Sequence, residues 1–416
     1  MVKIKAFRGL RPPRHLAAQI ASKPYDVLNS DEARVEAAGN PYSFLRVVKS
    51  EIDLPPELNP YDSLVYEQAA FNLQEFIRQG WFAQDCEDNL YIYRQMMGDH
   101  TQYGLVGVAH VDDYLQGKIR IHELTREAKE KDRIRHVQTT SANTGPVFLT
   151  YRAQTEIDAL IAEIVAHTPA EYDFTAVDQI RHTVWIIRDP LQIRQLVELF
   201  RRIEYVYVAD GHHRSKSAVM VGQARREAHP GYTGEEEFNW FLAVFFPHNQ
   251  LKILDYNRTV KDLHGLTPSE FIMQLQSHFD VSPVCCRERA RPQQATHFGM
   301  YLAGEWYRLA AREGSFPAKD PVESLDVSIL QRNLLTPILG IGDPRKDERI
   351  DFIGGIRGLV ELEKRVDSGE AAVAFALFPT SIDQLMAIAD AGQIMPPKST
   401  WFEPKLRSGL IIHLLD

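Results

Sequence analysis

The chain has 416 residues, a formal net charge of −9 and 44% hydrophobic residues, a composition typical of globular proteins. An acidic chain has no overall positive field to attract nucleic acid, and no apolar run approaches the length of a membrane span. With three cysteines and no Cys-x-x-Cys pair, neither a disulfide framework nor a zinc ribbon is expected. The N-terminus lacks the apolar core of a signal peptide, so we expect a cytoplasmic protein that binds neither nucleic acid nor a membrane.

The N-terminal half alternates short strands and helices. Alternating polar and apolar residues predict a strand over 2–7, within a stretch (1–25) that contains six Lys or Arg and no acid. Apolar residues at helical spacing predict a long helix over 61–80. A Gly-Asp-His turn predicts a hairpin of strands 90–96 and 103–110. Further helices are predicted over 15–22, 30–39, 111–116, 125–137, 155–166 and 190–200, and further strands over 44–47, 118–123, 147–150, 181–188 and 205–209.

The C-terminal half continues this mixture. Residues 282–295 and 340–351 are expected to be loops, and 395–405 a proline-rich loop before a final strand. Strands are predicted over 238–246, 251–256, 297–302, 305–309, 371–378 and 410–415, and helices over 267–278, 325–335, 359–368 and 381–391. Because helices, strands and hairpins intermix, we expect an α+β fold with a mixed sheet rather than a regular doubly wound one.

The most informative segment is 206–217, which reads VYVADGHHRSKS. An apolar run stops at Asp210-Gly211, and a helix-compatible stretch follows, which predicts a buried strand, a tight turn and a helix N-terminus. Gly211 lets a ligand approach the backbone, and the free N–H groups of the helix start attract anions. We interpret His212, His213 and Arg214 as imidazolium or guanidinium donors to a phosphate or carboxylate. The alternative is that Asp210 only caps the helix and the histidines lie on the surface.

A second candidate precedes the charged helix 125–137. Glu123 is a candidate general base, and Arg126 or Arg133 a candidate phosphate clamp. Residues 126, 129 and 133 share a helix face by their spacing. The alternative for the helix is a solvent-exposed surface of paired charges.

Two polar turns and one arginine complete the candidates. Asn143, Thr144 and Gly145 form a small turn before a strand, which either presents N–H groups to an anion or is simply a turn. Lys398, Ser399 and Thr400 lie in the proline-rich loop, which either closes over a ligand or only packs. Arg11 either faces an anionic ligand or lies on a solvated basic edge. No His-Glu-x-x-His pattern occurs, and the adjacent pair His212 and His213 points apart, so no metal ligands are assigned.

The sequence resembles a known family. The matching stretches are LRP (10–12), KPYDVL (23–28), NPYSFLRV (40–47), HELTREAKEKDRIRH (122–136), NTGPVF (143–148), ADGHHR (209–214), LDVSILQ (325–331), IDFIGG (350–355) and MPPKSTWFEPKLRSG (395–409). They resemble the bacterial domain-of-unknown-function family DUF1015. The Asp-Gly-His-His-Arg turn is also similar to the phosphate-binding motif of the ParB/sulfiredoxin superfamily, and most of all to its free-serine kinases.

The resemblance implies that Gly211, His212, His213 and Arg214 hold nucleotide or phosphate oxygens, and we include Ser215 with them. It implies that the turn at Arg11 lies beside that site. His212 stands where sulfiredoxin needs a cysteine, which disfavours sulfinate reduction. The serine kinases carry a glutamate base just after the first strand, whereas the first acid here is Asp26.

We therefore expect a phosphoryl-transfer enzyme acting on a small hydroxylated metabolite, with free serine as the substrate and ATP or ADP with Mg²⁺ as cofactors, both by resemblance. The candidate catalytic residues are Glu123, Asp26, Asp210 and His213. The alternatives are a phosphoserine phosphatase and a ParB-like nucleotide-binding regulator without catalysis. A ParB/sulfiredoxin-like core with insertions is expected over 1–280 and a C-terminal α+β region over 296–416; a homodimer is compatible with the sequence.

Overall fold

A computed structural model describes residues 1–416. The chain forms 21 strands and 14 α-helices, together with a few short 3₁₀ and π turns. None of the helices has both the length and the apolar character needed to cross a membrane.

The bounds of the elements follow in chain order. The strands are β1 (Ile4–Lys5), β2 (Leu10–Arg11), β3 (Ala83–Gln84), β4 (Leu90–Met97), β5 (His100–His110), β6 (Ile119–Arg120), β7 (Ala142–Asn143), β8 (Val147–Tyr151), β9 (Tyr172–Thr175), β10 (Arg181–Ile187), β11 (Val206–Asp210), β12 (Trp240–Pro247), β13 (Lys252–Leu254), β14 (Tyr256–Val260), β15 (Phe279–Val284), β16 (His297–Leu302), β17 (Glu305–Ala311), β18 (Ile350–Gly354), β19 (Val373–Ala376), β20 (Trp401–Glu403) and β21 (His413–Leu414). The helices are α1 (Ala17–Ile20), α2 (Ser30–Ala37), α3 (Leu45–Val48), α4 (Ser63–Arg78), α5 (Val111–Leu115), α6 (Glu127–Thr140), α7 (Thr155–His167), α8 (Pro190–Phe200), α9 (His212–Ala228), α10 (Pro268–Leu275), α11 (Arg287–Ala290), α12 (Asp326–Leu330), α13 (Gly358–Asp367) and α14 (Ile382–Asp390).

The first of two compact units comprises Met1–Leu251 and Pro404–Asp416. Its nine-stranded sheet runs β6-β11-β8-β12-β5-β4-β10-β9, and β1 pairs with β5 off this path. The sheet is mixed, because β11 runs parallel to β6 but antiparallel to β8, while β12 runs parallel to β8. This confirms the predicted α+β architecture with a mixed sheet.

The core of this unit explains why β11 forms where it does. Val206 and Val208 are buried among apolar side chains of neighbouring strands and of helices α7 and α8. β-Branched residues favour this buried, pleated environment. On leaving β11 the chain turns at Gly211 into α9, which packs against α6. The strand–turn–helix predicted over 206–217 is therefore confirmed.

The second unit comprises Lys252–Glu403. Its six-stranded antiparallel sheet runs β15-β17-β16-β19-β14-β18, and β13 pairs separately with β20. Helix α13 packs on this sheet, with Leu359 and Leu362 in the core. These bounds differ from the predicted regions 1–280 and 296–416. The last 13 residues of the chain belong to the first unit because β21 pairs with β7.

Two local predictions were wrong outright, and the loop predicted over 395–405 contains the short strand β20. Residues 44–47 were predicted to form a strand, but Leu45–Val48 form the helix α3, whose side chains pack with those of α4 in a helical cluster. The loop predicted over 282–295 contains the end of β15, paired with β17, and the short helix α11. In both places long-range packing decided the backbone conformation, and local composition did not.

Candidate functional site

The turn between β11 and α9 forms the centre of the site. The register of β11 against β8 shifts between Val208 and Asp210, which marks a bulge at the end of the strand. Gly211 follows with φ +95°, a conformation that other residues rarely adopt. A Cβ atom at this position would lie 3.0 Å from Arg214 Nε. Helix α9 then begins at His212, and no side chain caps it. The N–H groups of its first turn therefore have no side-chain hydrogen-bond acceptor.

Asp210 holds this turn together. Its carboxylate accepts hydrogen bonds from the Gly211 N–H at 3.0 Å, Arg214 Nη2 at 3.3 Å and Lys405 Nζ at 3.4 Å. Burial on its own would raise the pKa of Asp210, but the charges of Lys405 and Arg214 outweigh it and hold the pKa below its usual value. A carboxylate of such low basicity is a poor proton acceptor. The contacts of Asp210 hold it within the turn, and the catalytic role predicted for it stays a prediction.

Arg214 is the fixed cation of the site. Its side chain is 9% exposed and also donates to the Pro146 carbonyl, while Nε has no hydrogen-bond partner. Burial alone would lower the pKa of Arg214, but the charges of Asp26 and Asp210 more than offset it and raise the pKa. Arg214 therefore stays charged with one donor available.

A small cleft lies beside Arg214 and brings a second arginine to the same place. Arg133, on α6, is 12% exposed, pairs with Asp132 at 2.9 Å and lies 4.1 Å from the centre of the Tyr25 ring. Burial tends to lower the pKa of Arg133, but the Asp132 charge outweighs it and raises the pKa. The residues around the cleft include Tyr25, Arg133, Asn143, Thr144, Gly145, Arg214, Ser217 and Ser408. The enclosed space is about 30 Å³, enough for an ordered water or the terminal oxygens of an anion whose remainder lies in solvent.

The turn 143–145 forms one wall of this cleft. Asn143 Oδ1 accepts from the Leu242 N–H at 3.1 Å, which fixes the turn to β12. A Cβ atom on Gly145 would lie 3.0 Å from Ser408 Oγ and 3.9 Å from the Arg214 side chain. The glycine therefore allows the turn to approach the arginine closely.

Asp26 is a carboxylate that acts electrostatically on Arg214 and His213. It is exposed, and its negative charge raises the pKa of both Arg214 and His213. Arg126, the exposed residue before α6, acts on His213 in the opposite direction. Asp26 and Arg126 are thus within electrostatic range of the Gly211 turn.

The sequence led us to interpret the two histidines of the turn as charged donors, but their pKa values are lowered. Burial lowers the pKa of His212 to about 4, and burial also lowers the pKa of His213 in spite of the Asp26 charge. Both imidazoles are therefore neutral at neutral pH. His212 Nε2 and His213 Nδ1 are buried atoms with no hydrogen-bond partner.

His212 faces His122 instead of His213. The two rings lie 4.5 Å apart between centroids and meet edge to face at 89°. One ligand-type atom from each of His122, Glu123 and His212 lies within 4.8 Å of the other two. The structure therefore places Glu123 in a histidine cluster, a setting that the sequence does not indicate. The side chains of His122, Glu123 and His212 are close enough together to hold a metal ion.

Several predicted site residues have other roles. The Arg11 guanidinium pairs with Asp85 at 2.8 Å and with Glu171 at 3.0 Å, so its charge is already neutralised and it does not line the cleft. Ser215 is fully buried and donates to the His212 carbonyl at 3.0 Å. Ser215 is therefore tied to the start of α9, whereas Arg11 is held by acidic side chains elsewhere in the unit.

The predicted loop residues Lys398, Ser399 and Thr400 belong to the second unit. Ser399 is buried and donates to the Pro396 carbonyl at 2.6 Å, and the Lys398 carbonyl accepts from Arg258 at 2.9 Å. Lys398 Nζ is exposed and lies 5.6 Å from the centre of the Tyr256 ring. The loop is held by packing within its own unit.

Sequence reasoning missed four residues that matter here. Tyr25, Lys405 and Ser408 reach the turn or the cleft from distant parts of the chain, and His122 completes the cluster. The available signals were indirect: Tyr25 precedes Asp26, His122 precedes Glu123, and the other two lie in a stretch that matched the family.

Residues 4–328 match the sequence profile of a family described as "Protein of unknown function (DUF1015)". The chain belongs to the DUF1015 family. No curated protein matches this DUF1015 chain.

Solved structures similar to this DUF1015 chain have low scores. A conserved hypothetical protein from Pyrococcus furiosus is 12% identical with a TM-score of 0.36, and the match covers 74% of this chain and 94% of that one. A free serine kinase in complex with AMP is 12% identical with a TM-score of 0.36, covering 73% and 90%. SbnI with C-terminal truncation from Staphylococcus aureus is 12% identical with a TM-score of 0.38, covering 74% and 87%.

Proposed function

We propose that the chain transfers a phosphoryl group between a nucleotide and the hydroxyl of a small metabolite, with the nucleotide phosphates bound at the Gly211 turn. One observation carries the proposal: two largely buried, charged arginines, Arg214 and Arg133, line one small cleft beside the uncapped N-terminus of a 17-residue helix. Free L-serine is the first substrate to test, because the turn sequence resembles that of the free-serine kinases.

The arrangement suits a phosphoanion for electrostatic reasons. A guanidinium offers planar donors that match phosphate oxygens, and a helix N-terminus adds N–H donors with a positive dipole end. Each guanidinium is oriented by its own carboxylate, Arg214 by Asp210 and Arg133 by Asp132. Donors that are already fixed before the ligand arrives stabilise charge on the transferred group most effectively.

Asp26 is our candidate for the general base. In the proposed step the substrate hydroxyl oxygen bonds to phosphorus, the bond to the nucleotide oxygen breaks, and the hydroxyl proton passes to the Asp26 carboxylate. Asp26 fits this role better than Asp210, whose pKa two cations lower, or Glu123, which lies with the histidines. Mg²⁺ would be held by the nucleotide phosphates.

The test is phosphorus NMR of the purified protein with Mg²⁺ and L-serine, using ATP and ADP in separate samples. We expect a phosphoserine signal and loss of the terminal nucleotide phosphate. A sample with phosphoserine alone distinguishes a phosphatase, which would release inorganic phosphate from it. No reaction in any sample would remove serine as the substrate.

The Asp26→Asn substitution tests the proposed base. Because general bases contribute about 10²–10⁴-fold, turnover should fall by at least ~100-fold while the thermal midpoint stays unchanged, since Asp26 is exposed. Asp99→Asn, in the exposed turn between β4 and β5, is the matched control and should keep full turnover. Equal turnover in both variants would remove Asp26 from the mechanism.

A further inference from the structure

Three metal-ligating side chains meet behind the Gly211 turn. His122 and Glu123 follow β6, and His212 is the first residue of α9. One ligand-type atom from each lies within 4.8 Å of the others. His122 is 2% exposed and His212 is 7% exposed, so both imidazoles are nine-tenths or more buried.

The two imidazoles lack the hydrogen bonds that buried rings ordinarily make. His122 Nδ1 and Nε2 and His212 Nε2 have no hydrogen-bond partner of normal geometry. Other buried histidines of the chain are satisfied: His413, for example, bonds Asn143 at 3.2 Å and Glu237 at 2.7 Å. A buried polar atom without a partner is unfavourable, and a bound ion is one standard explanation for it.

We propose that His122, Glu123 and His212 form a binding site for one divalent first-row transition ion, with Zn²⁺ as the best fit. The site does not depend on the phosphoryl-transfer proposal. Two imidazole nitrogens and one carboxylate oxygen are a ligand set typical of such ions, whereas Mg²⁺ prefers oxygen ligands alone. Three protein ligands leave at least one coordination position open to water or to an anion.

The surroundings favour a cation at this point. Imidazole binds a metal ion through a ring nitrogen that carries no proton. The negative charge of Asp210 acts on both rings. Ligand atoms around a zinc ion lie about 2.0–2.2 Å from it, so the rings must rotate inward by a small amount to close the site.

The test measures metal content with no nucleotide or substrate present. The full-length protein is stripped with EDTA, reloaded with Zn²⁺ alone, passed through gel filtration and analysed by mass spectrometry for metal. We expect about one tightly held ion per chain, undisturbed by a large excess of Mg²⁺. A wild-type protein that retains no zinc, or that loses it to Mg²⁺, would overturn the proposal.

Variants assign the ion to these residues. His122→Asn and Glu123→Gln should each weaken zinc binding at least about 100-fold, because they remove a direct ligand. His110→Gln alters another buried histidine outside the cluster and should bind zinc like the wild type. Cobalt loading gives a second readout: the visible bands of Co²⁺ should change in Glu123→Gln, which is the milder substitution if His122→Asn does not fold. Unchanged zinc affinity and unchanged cobalt bands in Glu123→Gln would contradict the assignment.

The two proposals can fail separately. Zinc binding without phosphoserine formation would leave the metal site standing and remove serine kinase activity. Phosphoserine formation by a protein that holds no zinc would do the reverse.

Discussion

The two compact units treat their buried charges differently. In the first unit, Arg214 and Asp210 face each other, and each keeps its charge because opposite charges compensate for burial: Lys405 and Arg214 act on the aspartate, and Asp26 and Asp210 act on the arginine. In the second unit, Arg258 and Asp326 are buried, and neither makes an ion pair. Burial lowers the pKa of Arg258 to about 10 and raises the pKa of Asp326 to about 7.

The difference shows what a counter-charge does. Arg258 is surrounded by carbonyl acceptors and by the Phe352 ring, 5.0 Å away, which solvate the guanidinium without neutralising it. Asp326 Oδ1 accepts from the Thr296 N–H at 2.8 Å, but Oδ2 has no partner. Unpaired charges are therefore pushed toward their neutral forms, whereas a paired site stays charged and ready for an anion. Three substitutions test this comparison, from the largest expected effect to the smallest.

Removing Arg214 should have the largest effect on stability. Arg214→Met leaves Asp210 with Lys405 as its one remaining cation and the Pro146 carbonyl without its donor, so we expect a loss of about 3–5 kcal/mol of unfolding free energy. This loss is measured by urea unfolding, with hydrogen exchange in peptides of the first unit as the probe. The exposed Arg194→Met is the control and should change stability by less than about 0.5 kcal/mol. A loss under ~1 kcal/mol for Arg214→Met would show that the pair contributes little.

Asp326 should make the second unit more stable at acidic than at basic pH. The pKa of Asp326 is about 7 in the folded protein, above its value of about 3.9 in the unfolded chain. When the pKa of a group is higher in the folded protein than in the unfolded chain, the group contributes its full stabilisation below the unfolded-state pKa. That stabilisation is lost as the pH rises through the folded-state pKa. Between pH 5 and pH 8 the free energy of unfolding of the second unit should fall by about 2–3 kcal/mol because of Asp326.

The Asp326→Asn variant isolates that pH dependence. Asparagine cannot ionise and keeps an oxygen for the Thr296 N–H, so the loss between pH 5 and pH 8 should disappear. Hydrogen exchange in second-unit peptides at the two pH values gives the measurement, and first-unit peptides serve as the internal control. If both proteins follow the same pH profile, Asp326 does not carry the effect.

Arg258→Met should have the smallest effect of the three. The substitution removes hydrogen bonds to the Tyr256 and Lys398 carbonyls but also removes an unpaired buried charge, and methionine fills a similar volume. We expect a net loss below about 2 kcal/mol, measured by the same urea series in peptides of the second unit. If Arg258→Met lowered the free energy of unfolding as much as Arg214→Met does, the proposed difference between paired and unpaired buried charges would be contradicted.

Elements with strong local signals were predictable. The predicted helix 190–200 matches α8, which starts with Asp189 as its cap and Pro190 in the first turn. The predicted helix 61–80 appears as α4, capped by Asp62. The Gly211 turn followed from an apolar run stopped by Asp-Gly. Each of these depends on residues only a few positions apart, which is the range over which propensity and capping act.

The site itself was predictable only in part. The turn, Asp26, Arg133 and the 143–145 segment were all candidates, but nothing local in the chain indicates that Arg133 and Arg214 line the same cleft. Arg11 was a candidate for the same reason as Arg214, a cation beside a turn, and the structure pairs it with Asp85 and Glu171 instead. Composition cannot reveal which arginines already have partners.

The sequence by itself determined the class of fold, the strand–turn–helix at Gly211 and the family, because these depend on local patterns and on matching stretches. The tertiary structure decided the charge state of His212 and His213, the pairing of Asp210 with Arg214 and Lys405, and the meeting of His122, Glu123 and His212. Those outcomes depend on burial and on side chains that are distant in the chain. Solvation and Coulomb energy act through space, so they become defined only when the chain has folded.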